Sequence, residues 1–302
     1  MNRNLYEGDK IMDQAAKLRK IVEEKKEETF RFSDKKNARI ISVTSGKGGV
    51  GKTSLSVNLA AHLSRNSKKV LLIDADLGLS NVEIMLGVTP SYTLKDVVKN
   101  GKDIEEIVIN GPYNIDFISG GNGFLELAEL SEAERDSIII KIHKLEELYD
   151  IIIIDTGAGI SKNVTDFLAI SDEILVITTS EPTALTDAYS IMKVINEGQL
   201  KQKVGLIINR VKSKSEYQQA SNILINTAKK FLNEDIVSLG FVYEDPNVRK
   251  TIYKKTPFVI YYPDSKASDC IIEIIDNLDI FEKNDKKVSM MDKFMRLFGT
   301  SR

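Results

Sequence analysis

Cysteine, histidine and net charge are all scarce in this sequence, and each scarcity closes off some chemistry. One cysteine, Cys270, excludes an internal disulfide framework and any thiolate-cluster metal site built within a single chain; it reads as a core residue beside Ile271 and Ile272. The two histidines, His62 and His143, lie in helical stretches with no second ligand at metal spacing, so both read as ordinary helix residues. With 42 lysines and arginines against 44 aspartates and glutamates, the formal charge of −2 gives no reason to expect nucleic acid as the main partner. No apolar run approaches the roughly 20 residues that cross a bilayer. No signal peptide opens the sequence, so a cytoplasmic protein is expected, with any membrane contact peripheral.

What is present is an ordinary globular composition, 42% apolar and 28% charged, which over 302 residues is enough to bury a large core. Near its start stands Gly46-Lys47-Gly48-Gly49-Val50-Gly51-Lys52-Thr53. An apolar run, Arg39 to Thr44, precedes it and a helical pattern, Ser54 to Ser64, follows, which is the strand, loop and helix context of a phosphate-binding P-loop. Glycines let successive backbone N–H groups turn inward toward phosphate oxygens, and the helix N-terminus adds partial positive charge. Lys52 is expected to reach the β- and γ-phosphates and Thr53 to offer its hydroxyl to Mg²⁺. The expected nucleotide-binding set is thus residues 46 to 53 with Ser54.

From Arg39 onward, β-branched runs alternate with helical stretches, which predicts an α/β fold: a doubly wound, mostly parallel sheet with helices on both faces. Strands are expected at Ile40 to Thr44, Val70 to Asp74, Ile115 to Ser119, Ile151 to Asp155, Ile174 to Thr178, Val204 to Asn209 and Ile236 to Phe241. Covering helices are expected at Ser131 to Tyr149, Thr183 to Glu197, Ser215 to Leu232 and Ser265 to Ile280. Several strands end in polar residues, where an open α/β sheet holds its ligands.

Two of those ends supply carboxylates. Asp155 follows four isoleucines, a Walker B arrangement suited to holding Mg²⁺ through its water shell. Asp74 and Asp76 close another strand; Asp76 is expected to orient the attacking water and Asp74 to support the metal site. Asn209 ends a further apolar strand, and its carboxamide could either read an adenine edge or simply close the strand.

The chain ends are of a different kind. Ile11, Ala15, Leu18 and Val22 form one narrow helical stripe, followed by a charged stretch to Asn37. After the polar linker Glu282 to Ser289, the run Met290 to Phe298 gathers Met290, Met291, Phe294, Met295, Leu297 and Phe298 within an arc of roughly 160°, with Lys293 and Arg296 outside it. A helix this short folds on contact with a surface, either its own domain or lipid. The expected divisions are 1–37, a partner-binding helix and linker; 38–281, the nucleotide-binding domain; and 282–302, a linker and membrane-targeting helix.

The lysine directly after the first P-loop glycine, Lys47, makes this P-loop resemble the deviant Walker A motif of the MinD/ParA ATPases. Asp76 and Asp155 match that family's switch I and switch II aspartates, over a resemblance from Arg39 to Ile280. It implies bound ATP or ADP with Mg²⁺, and an ATP-state homodimer in which Lys47 contacts the partner's phosphates, so that Lys47, Lys52 and Asp76 are the catalytic candidates. It also nominates Arg210 beside Asn209, with Tyr243 to Asn247, for the base pocket. Asp13-Gln14-Ala15-Ala16-Lys17-Leu18-Arg19 resembles the DQAxxLR motif of the family's flagellar FlhG branch. That implies a partner GTPase of the FlhF type contacted through Asp13, Gln14, Ala15, Leu18 and Arg19, and possible basal-body or transcriptional partners. The tail resembles the branch's membrane-targeting helix, which nominates Met291, Lys293, Phe294, Met295, Arg296 and Phe298 for lipid at the inner face of the cell membrane. The rival expectations are a DNA-partitioning ATPase of the ParA type and a module that holds ATP without turnover.

Overall fold

A computed structural model describes residues 37–76, 81–121, 131–200, 202–282 and 293. The partner-helix residues Asp13, Gln14, Ala15, Leu18 and Arg19 lie outside this set, as do Met291, Phe294, Met295, Arg296 and Phe298 of the tail. Eight strands, β1 (Arg39–Ser45), β2 (Val70–Ala75), β3 (Ile109–Asn110), β4 (Ile115–Ile118), β5 (Ile151–Ala158), β6 (Glu173–Thr179), β7 (Lys203–Val211) and β8 (Val237–Tyr243), form one sheet in the order β3-β4-β2-β5-β1-β6-β7-β8. Every pairing is parallel except that of β3 with β4. The seven expected strands are all present, with β5 running to Ala158, β7 to Val211 and β8 to Tyr243, each past its expected end. The two-residue β3 is too short to leave a period-2 signal.

The helices are α1 (Lys52–Arg65), α2 (Val82–Leu86), α3 (Leu94–Lys99), α4 (Glu132–His143), α5 (Lys162–Ile170), α6 (Pro182–Glu197), α7 (Lys214–Leu232), α8 (Pro246–Lys254), α9 (Phe258–Tyr261) and α10 (Lys266–Glu282). The expected helix through Tyr149 stops at His143, because Lys144, Leu145 and Leu148 bond three residues back rather than four and the chain tightens into turns. Sequence reading missed the short helices α2, α3, α5, α8 and α9. Among the described residues no helix is long and apolar enough to cross a membrane.

Alternation along the strands divides the core. Ile41, Val43, Val70, Leu72, Ile151 and Ile153 point to α1 and α10, while Ile40, Leu71, Ile73, Ile152 and Ile154 point to α4 and α5. Ile174, Val176, Leu206 and Ile208 meet α6 and α7. Both faces are covered, so the strands read as continuous apolar runs rather than alternating ones. Cys270 is buried in the α10 side of this core, as its apolar neighbours suggest.

β1 lies between β5 and β6, the point where strand order reverses, and its carboxyl end opens the crevice in which such sheets hold ligands. The opposite edge is tied by Arg39. Its guanidinium grips buried Glu173 through two bonds, of 2.8 and 3.0 Å, and also donates to the Leu278 carbonyl at 2.8 Å and to Asp279 at 3.1 Å. Lys203, at the start of β7, donates to the Phe281 carbonyl at 2.8 Å, so the end of α10 is fastened to the same edge.

Candidate nucleotide and metal site

The loop leaving β1 is exposed from Lys47 to Gly49 and returns to the interior at Val50. Gly51 then takes φ 104° as the N-cap of α1, a left-handed conformation that a side chain resists, and no side chain caps the helix. Its first amides are left for a ligand, whereas α4, α5 and α7 are each capped by a serine. Gly46 is constrained in another way: a β-carbon there would lie 2.1 Å from the Asp187 carbonyl oxygen of α6.

Lys52 is buried, and its ammonium donates to Ser45 Oγ at 3.0 Å, while that hydroxyl donates to the Lys47 carbonyl at 2.8 Å. Burial pushes the Lys52 pKa down, against the opposing charges of Asp155, Asp76 and Asp74. Asp155 is 1% exposed and accepts hydrogen bonds from the hydroxyls of Thr53 and Ser56, the latter at 3.0 Å. Burial raises it to about 6, opposed by the Thr53 hydroxyl and the Lys52 ammonium. Asp74 stands in register beside it on β2 and is raised to about 8 by burial and by the Asp155 charge, opposed by three main-chain N–H groups. The sequence-named Thr53, Asp155, Asp74 and Lys52 therefore converge, and Asp76 extends from the end of β2 toward Gly157, where a β-carbon would lie 3.6 Å from its Oδ1.

The Thr53 hydroxyl and the buried Asp155 carboxylate are hard oxygen donors that suit Mg²⁺, whose charge would favour the ionised form of Asp155. The uncapped helix start beside buried Lys52 suits a nucleotide's phosphates. Ser45 and Ser56 touch Lys52 and Asp155 here, contacts that sequence reading did not find. A serine carries no signal of its own, although both flank the P-loop by a few residues.

Lys47 differs from Lys52. Its side chain is 43% exposed and its ammonium lies 3.4 Å from Glu181 and 3.3 Å from the Thr183 hydroxyl, at the start of α6.

Beside the P-loop opens a cavity of about 520 Å³ whose lining includes Gly51, Ser54, Asn209, Arg210, Tyr243 and Pro246. It is of a size for a base and sugar. Asn209 sits on its wall with its carboxamide engaged, donating to the Val50 carbonyl at 2.7 Å and accepting from the Arg210 N–H at 2.9 Å. Arg210 is itself held at φ 58°.

Lys293, alone of the sequence-nominated lipid contacts, is described, and it does not project freely. Its ammonium bonds to Asp172 at the start of β6, a carboxylate that also accepts the Ile40 N–H at 2.8 Å.

The AAA domain family matches residues 38–208. The chain is 34% identical over 230 residues to the antiactivator FleN of Pseudomonas aeruginosa, covering 76% of this chain and 82% of that one. It is 34% identical over 231 residues to the flagellum site-determining protein YlxH of Helicobacter pylori, covering 76% of each. The fold superimposes on the septum site-determining protein MinD of Pyrococcus horikoshii, solved with Mg-ADP, with a TM-score of 0.70 at 26% identity, covering 83% of this chain and all of that one. A P-loop ending β1, aspartates at the neighbouring strand ends and these likenesses lead to one conclusion: the chain belongs to the MinD/ParA family of ATP-binding P-loop proteins.

Proposed function

We propose that the chain is an ATP-hydrolysing, dimerising switch that regulates flagellar number and placement, with reversible membrane binding and stimulation of an FlhF-type GTPase. The observation that carries this reading is the contrast between two lysines of one loop. Lys52 is buried against Ser45 and faces its own phosphate cradle, whereas Lys47 stands partly exposed at the rim, held by its contacts with Glu181 and Thr183, which it would leave to reach a second subunit. A charge supplied in trans links dimer formation to ATP, and hydrolysis then releases the pair. Thr53 and Asp155 would hold Mg²⁺, which when bound neutralises phosphate charge. Asp76 orients the attacking water, and Ser45 and Ser56 keep Lys52 and Asp155 in place. Asn209 and Arg210 form one wall of the base pocket.

The output is assigned from the relatives and the chain ends. YlxH is a flagellum site-determining protein and FleN an antiactivator, and Gln14 and Arg19 lie in the segment resembling the GTPase-binding motif. Two tails in one ATP dimer raise the effective concentration of the second, so lipid binding follows nucleotide state. The protein accordingly works in the cytoplasm and at the inner membrane face, with basal-body or transcriptional proteins as further partners.

The test is phosphate release, sedimentation and liposome flotation of the full chain with ATP or ADP, alongside GTP hydrolysis by an FlhF-type protein. Turnover, ATP-dependent dimers, ATP-dependent flotation and faster GTP hydrolysis are expected. Salt-sensitive binding to random DNA without lipid binding would replace the flagellar reading with a partitioning one.

A further inference from the structure

We propose that Asp74 is a positioning residue that braces Asp76 and the start of α2 through their main-chain amides. The proposal rests on the reading of Asp76 as the group that orients water. Asp74 is 1% exposed, and both its carboxylate oxygens are engaged. Oδ1 accepts the Asp76 N–H at 3.1 Å, while Oδ2 accepts the N–H groups of Asn81 at 2.9 Å and Val82 at 3.1 Å. One carboxylate thus holds the amide of Asp76 and those of Asn81 and Val82.

The last two of these amides open α2, whose N-cap residue, Asn81, makes no side-chain cap bond. Asp74 supplies the acceptor instead, from eight residues upstream of Val82. With their acceptor buried away from water, these three amide bonds meet little solvent competition, and removing it would leave the buried Val82 N–H unsatisfied. Fixing the Asp76 amide fixes the origin of a side chain whose carboxylate already lies beside Gly157 of β5. Asp74 therefore joins β2, Asp76 and the start of α2. The metal-supporting role suggested by sequence asks the same carboxylate to face the ion, and the two roles have different signatures.

The test uses the full-length chain and its Asp74→Asn variant, which keeps the shape but only one acceptor oxygen. Amide hydrogen exchange at residues 76, 81 and 82 is compared with single-turnover phosphate release, ATP affinity and the Mg²⁺ concentration that half-saturates nucleotide binding. Exchange at least about tenfold faster at these amides and release at least about tenfold slower are expected, with ATP Kd and Mg²⁺ half-saturation within about threefold of the parent. Unchanged exchange, faster exchange with unchanged release, or a tenfold rise in Mg²⁺ half-saturation each overturns the clamp. If the parent protein releases no phosphate under any condition, the hydrolytic reading fails by itself, while the exchange data still decide whether the clamp exists. If Asp74→Asn does not fold, the parent alone decides: amides 81 and 82 exchanging as fast as exposed loop amides refute the proposal, and protection supports it.

Discussion

Lys47 rests against Glu181 of its own subunit, 3.4 Å away, with the Thr183 hydroxyl 3.3 Å from the same ammonium. A lysine that serves a second subunit's phosphates has to leave this seat. The pair is exposed on both sides, 43% and 67%, so its contribution is at most about 1 kcal/mol. Each dimer breaks two such pairs, so Glu181→Ala is expected to favour the ATP dimer by up to about thirtyfold in dimerisation constant. Lys47→Ala should abolish that dimer while nucleotide affinity stays close to the parent's. Sedimentation with a nonhydrolysable ATP analogue measures both; an intact dimer in Lys47→Ala removes the role in trans.

Two glycines near the phosphates should respond differently to a single methyl group. At Gly46 a β-carbon would collide with the Asp187 main chain at 2.1 Å, whereas at Gly157 its nearest neighbour is Asp76 Oδ1 at 3.6 Å, ordinary contact. Gly46→Ala should destabilise the fold by about 1–3 kcal/mol and weaken nucleotide binding as the P-loop moves off α6. Gly157→Ala should cost less than about 1 kcal/mol and act on hydrolysis through Asp76. Urea unfolding and a nucleotide-binding titration on both variants check the order, which fails if Gly157→Ala is the more unstable.

The carboxylate pair makes stability depend on pH in a stated direction. Asp155 at about 6 and Asp74 at about 8 both lie above their unfolded values, so ionising them opposes folding. Their contribution is fully present below about pH 4 and is lost as pH rises through the folded values, up to about pH 8. Bound Mg²⁺ and nucleotide should counter that loss, so the rise in Tm on adding them should be larger near pH 8 than near pH 5.5 as an approximate comparison. Asp74→Asn should flatten the nucleotide-free profile over this window. Thermal melts in matched buffers decide it, and an equal gain at both pH values contradicts the pair's part in it.

Lys293 cannot bond to Asp172 and lie against anionic lipid at once. Asp172→Asn should raise liposome flotation of the nucleotide-free protein several-fold, and removal of residues 290–302 should abolish flotation in every state. Equal flotation of the Asp172→Asn variant and the parent would show that the contact does not compete with lipid.

The elements that position chemistry left clear marks in the sequence. Four isoleucines before Asp155 and the glycine pattern before Lys52 work through properties written in residue type: burial on both faces in one case, backbone freedom in the other. The Asp74 bonds left no such mark, because the donors are main-chain amides that any residue would supply. Ser45 and Ser56 were equally silent, since their roles come from facing Lys52 and Asp155 across the fold. Helices of five to nine residues such as α2, α5 and α8 are too short for periodicity to separate from loops, and tertiary packing stabilises them. Sequence leaves Asn209 open between a base edge and a strand end, and the structure adds a contact with the P-loop carbonyl of Val50 that residue type could not signal.

The knot formed by Arg39 has a further meaning. By binding Glu173, Leu278 and Asp279 together, it brings the first strand and the last helix of the described fold to one margin of the sheet, opposite the P-loop. The start of β1, the start of β6 and the end of α10 therefore share one guanidinium, so a single substitution at Arg39 would loosen three elements at once without touching the P-loop.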